Sequence, residues 1–386
     1  GPTIVSRAEA PAMLNLEEIS MSEEDLISSY DPENEENNYH LPQHLCRRLQ
    51  LDRCRQECSE VLPGALYVAS YQVASNLEAL QRKQITHIVN TAADICDNCF
   101  PNLFHYTTYY LKDANYEDIS VLFYRTLEII QNAINGGGRV LVHCREGISR
   151  SATMVIAYLM WRYRLSFEAA HDRIRKARPI CNPNAGFTCK LLMLGKKMGV
   201  NGTPQAGTPE RGTPTQETRP APSPSPSDDR PQLHRVAPYH PKEPFLLLLP
   251  ADWPQPCAPQ QVNLASPAWA VPPLDPRFGW VVQQGPNLIL WLGKVVHDAE
   301  AITEVVQAHA RRLEMFERLR CSVTVTREGS ETPQLWQALG LPGAPANGSA
   351  VLAAPRPVWD ADYEVLRKVA AADCMSSDSE ASACSI

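Results

Sequence analysis

Cys144 and Arg150 stand with five residues between them in the run His143-Cys144-Arg145-Glu146-Gly147-Ile148-Ser149-Arg150-Ser151. A thiol and a guanidinium at that spacing suit covalent chemistry on a phosphate ester. Ahead of the run, Arg139-Val140-Leu141-Val142 is short and apolar, as a strand would be; after it, Ala152 to Trp161 has the length and the formers of a buried helix. A loop between a strand end and a helix N-terminus collects unpaired backbone N–H groups and the positive end of the helix dipole, so it binds anions. A thiol at its base, facing those donors and Arg150, is expected to have a lowered pKa and to be a thiolate at neutral pH. Gly147 permits the tight turn that aims the amides inward, and Arg150 grips two phosphoryl oxygens as an equatorial transition state develops. Arg145, Glu146, Gly147, Ile148 and Ser149 then form the phosphate cradle with Arg150. Ser151 can donate to the sulfur as it leaves a phosphocysteine, and His143 supports the loop from the strand end. The plain alternative is a buried cysteine in an ordinary strand-to-helix turn, which leaves the His, Gly and Ser positions without a reason.

Breaking the phosphorus–oxygen bond also needs an acid to protonate the leaving alkoxide or phenoxide. Leu111 to Ile119 follows a predicted strand and offers Asp113 and Asp118. Asp118 immediately precedes a predicted helix, where a carboxylate serves as an N-cap. Asp113 can likewise be read as a loop aspartate alone.

With these residues, and with Ala157-Tyr158-Leu159-Met160, Arg178-Pro179 and Asn182-Pro183-Asn184-Ala185-Gly186-Phe187, the chain resembles the cysteine-dependent phosphatases, in particular their dual-specificity branch. The resemblance spans residues 60 to 198. It implies removal of phosphate from tyrosine and from serine or threonine of proteins through a phosphocysteine on Cys144. The family carries its acid at the position matching Asp113, which then activates water, and it uses no metal or other cofactor. Phosphoinositide hydrolysis is the rival reaction, but a multiply charged head group calls for extra lysines, and the loop has only Arg145, offset by Glu146. A phosphate-capturing adaptor without catalysis is the rival outside enzymes; intact Cys144, Arg150 and Asp113 speak against it.

Those residues require a scaffold. The expected fold class is α/β: a mostly parallel central sheet flanked by helices, with ligands at the strands' C-terminal edge. Its predicted elements are strands at Ala65–Ala69, Thr86–Asn90 and His105–Tyr110, a helix at Asn76–Lys83 for which Ser70 stands as a cap upstream, and an amphipathic helix from Ile119 to Ile134 ended by Gly136 to Gly138. Cys96 and Cys99 form a lone C-x-x-C without a second pair, which argues against zinc. They fall near the same sheet edge as Cys144, as two inert thiols or as a resolving thiol for an oxidised nucleophile, the former being the plainer reading.

The 386 residues call for two or three domains. A net charge of −7 gives no nucleic-acid signal, and no apolar run approaches a membrane span or a secretory signal. The chain opens on Gly1 rather than Met, as a fragment would. A nucleophilic thiolate among twelve scattered cysteines points to the cytoplasm, with the nucleus as a second location. Residues 1–57 are expected to be largely disordered, with the acidic stretch Glu17–Glu36 followed by Arg47-Arg48-Leu49-Gln50-Leu51. That short run resembles MAP kinase docking motifs; an amphipathic lead-in helix from Leu45 to Cys58 is the plainer reading.

Residues 58–199 are the expected catalytic domain and 200–243 a Pro/Thr/Ser-rich linker, with ten prolines between Asn201 and Lys242. Thr203, Thr208, Thr213, Ser223 and Ser225 each precede proline, as sites for a proline-directed kinase or as a consequence of composition. A second, smaller α/β domain is expected over 244–345, with strands at Phe245–Leu249, Trp280–Val282, Asn287–Lys294 and Ser322–Thr326 and a helix at Ala299–Arg312. Leu288 to Lys294, that helix and Glu331 to Gly340 resemble a gelsolin homology domain, which implies actin or another protein as partner. Phe278 and Gly279 stand where such repeats carry a calcium-binding aspartate. Both domains in this order resemble the plant-type MAP kinase phosphatases, which implies a phosphorylated MAP kinase as substrate. The tail, 346–386, is expected to be mostly disordered.

Overall fold

A computed structural model describes residues 23–31, 35–38, 40–200, 231–251, 274–339 and 360–368. Two units are distinct, residues 1–54 and 55–386. In the first, helices α1 (Glu23–Ser28) and α2 (Gln43–Gln56, which continues into the second unit) occupy part of the segment expected to lack order. Arg47 and Arg48 are exposed on α2, and Leu49 and Leu51 are half-buried.

The second unit begins with the catalytic α/β layer. Strand β1 (Ser59–Leu62) pairs antiparallel with β2 (Leu66–Ala69). Helices α3 (Tyr71–Ala74) and α4 (Leu77–Arg82) follow, then β3 (His87–Asn90) and β4 (His105–Thr108). The Ser70 hydroxyl does not cap a helix; it donates to the Arg55 carbonyl at 2.5 Å, and the α4 cap is Asn76. The predicted helix from Ile119 is split into a 3-10 turn over Ile119–Leu122 and α5 (Phe123–Asn135). Strand β5 (Val140–His143) leads through the cysteine loop into α6 (Arg150–Tyr163), followed by α7 (Phe167–Ala177) and α8 (Ala185–Lys197). The strand order is β1-β2-β5-β3-β4, with every pair after the first parallel. Parallel strands are covered on both faces, which is why β5 reads Val-Leu-Val-His and is buried throughout.

A second sheet follows, with order β10-β9-β8-β6-β7. Its strands are β6 (Gln232–His240), β7 (Glu243–Pro250), β8 (Gly279–Gln284), β9 (Asn287–Leu292) and β10 (Ser322–Arg327). Helix α9 (Ala299–Glu317) covers one face, its Ile302, Val306 and Leu313 packing with Val281 and Leu290. Helix α10 (Pro333–Ala338) and a helix over residues 360–368 cover the other, through Leu335, Trp336 and Leu366 against Trp280 and Trp291.

Two domain boundaries differ from expectation. Strand β6 lies inside the predicted linker. Its His234, Arg235 and Pro238 interrupt the apolar alternation, and Pro238 is tolerated because it sits beyond the stretch paired to β8 and beside a register shift against β7. The 360–368 helix lies inside the expected disordered tail and is held by ion pairs of Asp362 with Arg235 and of Asp360 with Arg277. The phosphorylatable linker residues Thr203 to Ser225 lie outside the described residues.

The two sheets of this unit share apolar packing. Leu247 of β7 and Phe316 of α9 belong to the same buried cluster as Phe123, Leu127 and Tyr158 of the catalytic layer. Arg312 of α9 pairs with Glu128 of α5 at 2.8 Å, and Phe316 meets Trp161 edge-on at 5.0 Å. Among the described residues no helix is long and apolar enough to cross a membrane.

Candidate active site

Strand β5 ends at His143, and the chain turns through residues 144–149 into α6. Four successive carbonyls of the loop, from Arg145 to Ile148, are held from outside. Tyr71 N–H donates to Arg145 O at 3.0 Å and Asn182 N–H to Ile148 O at 2.8 Å. Arg178, with no exposed surface, donates from Nη2 to Glu146 O and from Nε to Gly147 O, both at 2.8 Å. Each peptide is planar and trans, so a carbonyl pulled outward turns the following N–H inward. The Gly147 N–H accordingly donates to Cys144 Sγ at 3.2 Å. Gly147 has φ +71°, and a Cβ there would lie 2.6 Å from Ala69 O, so the turn and the packing both require glycine.

Cys144 is buried, with Ser151 Oγ 3.3 Å from its sulfur. His143 is buried behind it, its carbonyl taken by the Thr91 N–H at 2.9 Å and hydroxyl at 2.7 Å, and its ring stacked on Tyr71. Burial pulls the His143 pKa down to about 4, so the imidazole is neutral and supports the strand end as packing.

Arg150, the first residue of α6, is 5% exposed. Its Nη1 donates to Leu111 O at 2.9 Å and lies 3.8 Å from Asp94. Its Nε is buried without a hydrogen-bond partner, with Asp113 Oδ2 3.7 Å away. A buried unsatisfied guanidinium N–H is costly unless a ligand completes it, and a phosphoryl oxygen is suited to do so.

Asp113 Oδ1 accepts from Ser149 Oγ at 2.7 Å and from Asn184 Nδ2 at 2.9 Å. Its rival Asp118 is otherwise engaged. Burial would raise the Asp118 pKa, but the Ser120 hydroxyl and Lys190, at 3.0 Å, outweigh it and hold the carboxyl below its usual range. Asp118 thus caps the 3-10 turn and stays charged, which a proton donor does not.

The structure therefore brings Cys144, Arg150, Asp113, Ser149 and Ser151 together at the C-terminal edge of the sheet. The side chains of Arg145 and Glu146 are engaged elsewhere: Arg145 is largely exposed, and Glu146 pairs with Arg55 at 2.7 Å. Ile148 contributes backbone. Cys96 shares a small buried cluster with Cys144 and Ala92, and burial pushes its thiol up to about 11. Cys99 lies apart from that cluster, 3.4 Å from the Tyr71 hydroxyl. Sequence reasoning missed Arg178, Asn184 and Asp94 as members of the site. The first two lie in stretches that carry the resemblance, but spacing gives no sign that they reach the loop or the aspartate.

Comparison with known proteins adds to this geometry. Residues 66–197 match the family model described as dual specificity phosphatase, catalytic domain. The chain carries a dual-specificity phosphatase catalytic domain. Over 329 residues the chain is 30% identical to the protein-tyrosine-phosphatase MKP1 of Arabidopsis thaliana, covering 84% of this chain and 37% of that protein. Dual specificity protein phosphatase 2 of Mus musculus is 41% identical over 135 residues, 35% of this chain and 42% of that one. The MAP kinase phosphatase with leucine-rich repeats protein 3 of Dictyostelium discoideum is 41% identical over 141 residues, 36% of this chain and 16% of its own length. The chain thus spans well under half of each of these relatives. The 329-residue match extends past the dual-specificity phosphatase domain, whose model covers 66–197, into flanking sequence.

Proposed function

We propose that this chain is a protein phosphatase that dephosphorylates tyrosine and serine or threonine of phosphorylated MAP kinases through a phosphocysteine on Cys144. The observation that carries the reading is the arrangement around the sulfur: the Gly147 amide and the Ser151 hydroxyl on Cys144, beside the buried, unsatisfied Arg150 Nε. The thiolate attacks phosphorus, the phosphoryl oxygens take the loop amides and Arg150, and Asp113 protonates the departing oxygen. Asp113, now a carboxylate, takes a proton from the water that cleaves the phosphocysteine, and Ser151 stabilises the released sulfur. Ser149 and Asn184 orient Asp113 throughout.

The loop favours a singly phosphorylated group over a phosphoinositide, because Arg145 and Arg55 are both turned to Glu146. The MAP kinase assignment is supported by the names of the relatives and by α2, where two exposed arginines precede two half-buried leucines, a surface complementary to an acidic patch beside an apolar groove. The second domain is read as gelsolin-like on its mixed sheet between α9 and α10, with a protein such as actin as its partner. The free cysteines fit a reducing compartment, the cytoplasm or nucleus.

The test is hydrolysis of doubly phosphorylated activation-loop peptides and of an intact phosphorylated MAP kinase, beside a small aryl phosphate. Arg47→Ala with Arg48→Ala should raise KM for the kinase and leave the aryl phosphate unchanged. Failure to hydrolyse any of the three would end the phosphatase reading; equal loss on all would end the docking reading alone.

A further inference from the structure

We propose that the second domain completes the active site: Tyr239 and His240, at the tip of the β6–β7 hairpin, are positioning residues for the backbone that carries Asp113. The proposal rests on the phosphatase reading and assigns the second domain a part in it.

Backbone hydrogen bonds past the end of β4 show the dependence. Tyr109 is still tied to its own sheet, its N–H donating to Asn90 O at 2.7 Å and its carbonyl accepting from Ala93 N–H at 3.0 Å. Tyr110 is not. Its N–H donates to the Tyr239 hydroxyl at 2.9 Å, and its ring stacks on His240 at 4.0 Å with an interplanar angle of 10°. One residue further, the Leu111 carbonyl accepts from Arg150 Nη1. Two beyond that is Asp113. The second domain therefore grips the chain at Tyr110, adjacent to the anchor of the catalytic arginine and three residues before the acid.

The grip is itself braced. Tyr239 stacks on Phe245 of β7 at 5.0 Å and meets Tyr109 edge-on at 6.0 Å, while the Arg125 guanidinium of α5 lies 4.0 Å from the Phe245 ring. The Thr126 hydroxyl fixes Tyr109 from α5 at 3.1 Å. Burial raises the Tyr239 pKa, so the hydroxyl stays neutral and remains available to the Tyr110 amide across the working range of pH. Removing this hydroxyl leaves Tyr110 N–H to water and frees the first residues of the acid loop. Protonation of the leaving group then suffers, because it depends on a fixed donor, whereas attack by Cys144 on an activated ester does not.

The experiment is Tyr239→Phe in the full chain, with kcat/KM measured over aryl phosphates of graded leaving-group ability. The expected result is a kcat/KM lowered about tenfold for phenyl phosphate and less than about twofold for dinitrophenyl phosphate. In an Asp113→Asn background the same substitution should add nothing for phenyl phosphate, since the acid it positions is gone. If Tyr239→Phe does not fold, His240→Ala, half-buried, which removes the stack and the hydrogen bond from Lys242 N–H to its Nδ1, is read by the same two criteria. A loss equal across leaving groups, no loss, or a loss that adds in full to Asp113→Asn would overturn the proposal. A native chain that hydrolyses none of these esters would instead overturn the phosphatase reading beneath it.

Discussion

The Ser149 hydroxyl donates to Asp113 Oδ1 at 2.7 Å. One end of the phosphate loop is thus tied directly to the candidate acid, and Asn184, which caps α8 through the Phe187 N–H, holds the same oxygen while its own N–H donates to Ser149 Oγ at 3.2 Å. Gly186 lets α8 approach this loop, because a Cβ there would fall 2.1 Å from Asn115 O. Cradle and acid are placed relative to one another before any substrate binds.

Cys144→Ser should lower turnover of an aryl phosphate by more than ~10³-fold while binding of a phosphorylated protein persists. The carbonyl clamps that shape the loop do not involve the sulfur. Measurable turnover by this variant, in a pull-down-competent preparation, would exclude the covalent route.

Asp113→Asn and Asp118→Asn should separate cleanly. The first should lower kcat by about 10²-fold or more for alkyl and phenyl esters and far less for good leaving groups. The second keeps an amide cap but removes the carboxylate paired with Lys190, and should cost less than about 1 kcal/mol in a denaturant titration, with the leaving-group dependence intact. Its stability contribution belongs to a carboxyl whose folded pKa is lowered, so it is present above the unfolded value of about 3.9 and lost as pH falls through the folded one. An exchange of these two phenotypes would reverse the assignment.

Arg178→Lys keeps the charge but cannot hold two carbonyls in a fork. Lysine should leave Gly147 O or Glu146 O unheld, lowering kcat/KM about a hundredfold through a loosened cradle. Thermal melting beside the kinetics decides the matter: a lower Tm with unchanged kcat/KM would mean that the loop keeps its shape unaided.

His143 is buried, and His234 and His309 are half-buried with ring nitrogens His234 Nδ1 and His309 Nε2 enclosed; desolvation takes their pKa values down to about 4, about 4 and about 3. An unfolded histidine titrates near about 6.5, so below that pH the unfolded chain binds protons that the folded one refuses. Stability therefore rises with pH across this window and falls on acidification. Between about pH 7.5 and about pH 5.5 each histidine should contribute about 1 kcal/mol of loss, and His234→Gln should flatten its share of the slope in urea titrations. A difference from the native chain that does not change with pH would remove His234 from this account.

The strand, loop and helix around Cys144 were legible because their chemistry leaves a dense local signature: a buried strand, a glycine at the turn and a helix of strong formers. Asp113 and Asp118 were not separable by spacing, since both follow the same strand; what divides them is Ser120 and Lys190 on one and Ser149 and Asn184 on the other. Arg178 escaped because its partners at Ser59, Glu146 and Gly147 are brought to it only by the folded sheet. Strand β6 escaped for a different reason. Its polar and imino residues resemble the sequence before it, and their burial depends on β7, β8 and the tail helix, none of which is local. The end of α5 at Gly136 and the strands β7 to β10 were readable from periodicity and turn residues alone.

The apolar cluster that joins the catalytic layer to α9 and β7 takes in chain from before and after the proline-rich segment 201–230. Val200 lies in that cluster, and so does Leu247, one strand beyond the point where the segment rejoins the fold. Val200 and Leu247 thus belong to one packed body. Chain length between two points of one body enters folding through closure entropy, at about 0.6 kcal/mol per doubling, so small insertions and deletions there should change stability little. Phosphates added to the segment would change charge beside a fixed assembly, without altering how far apart the two sheets stand.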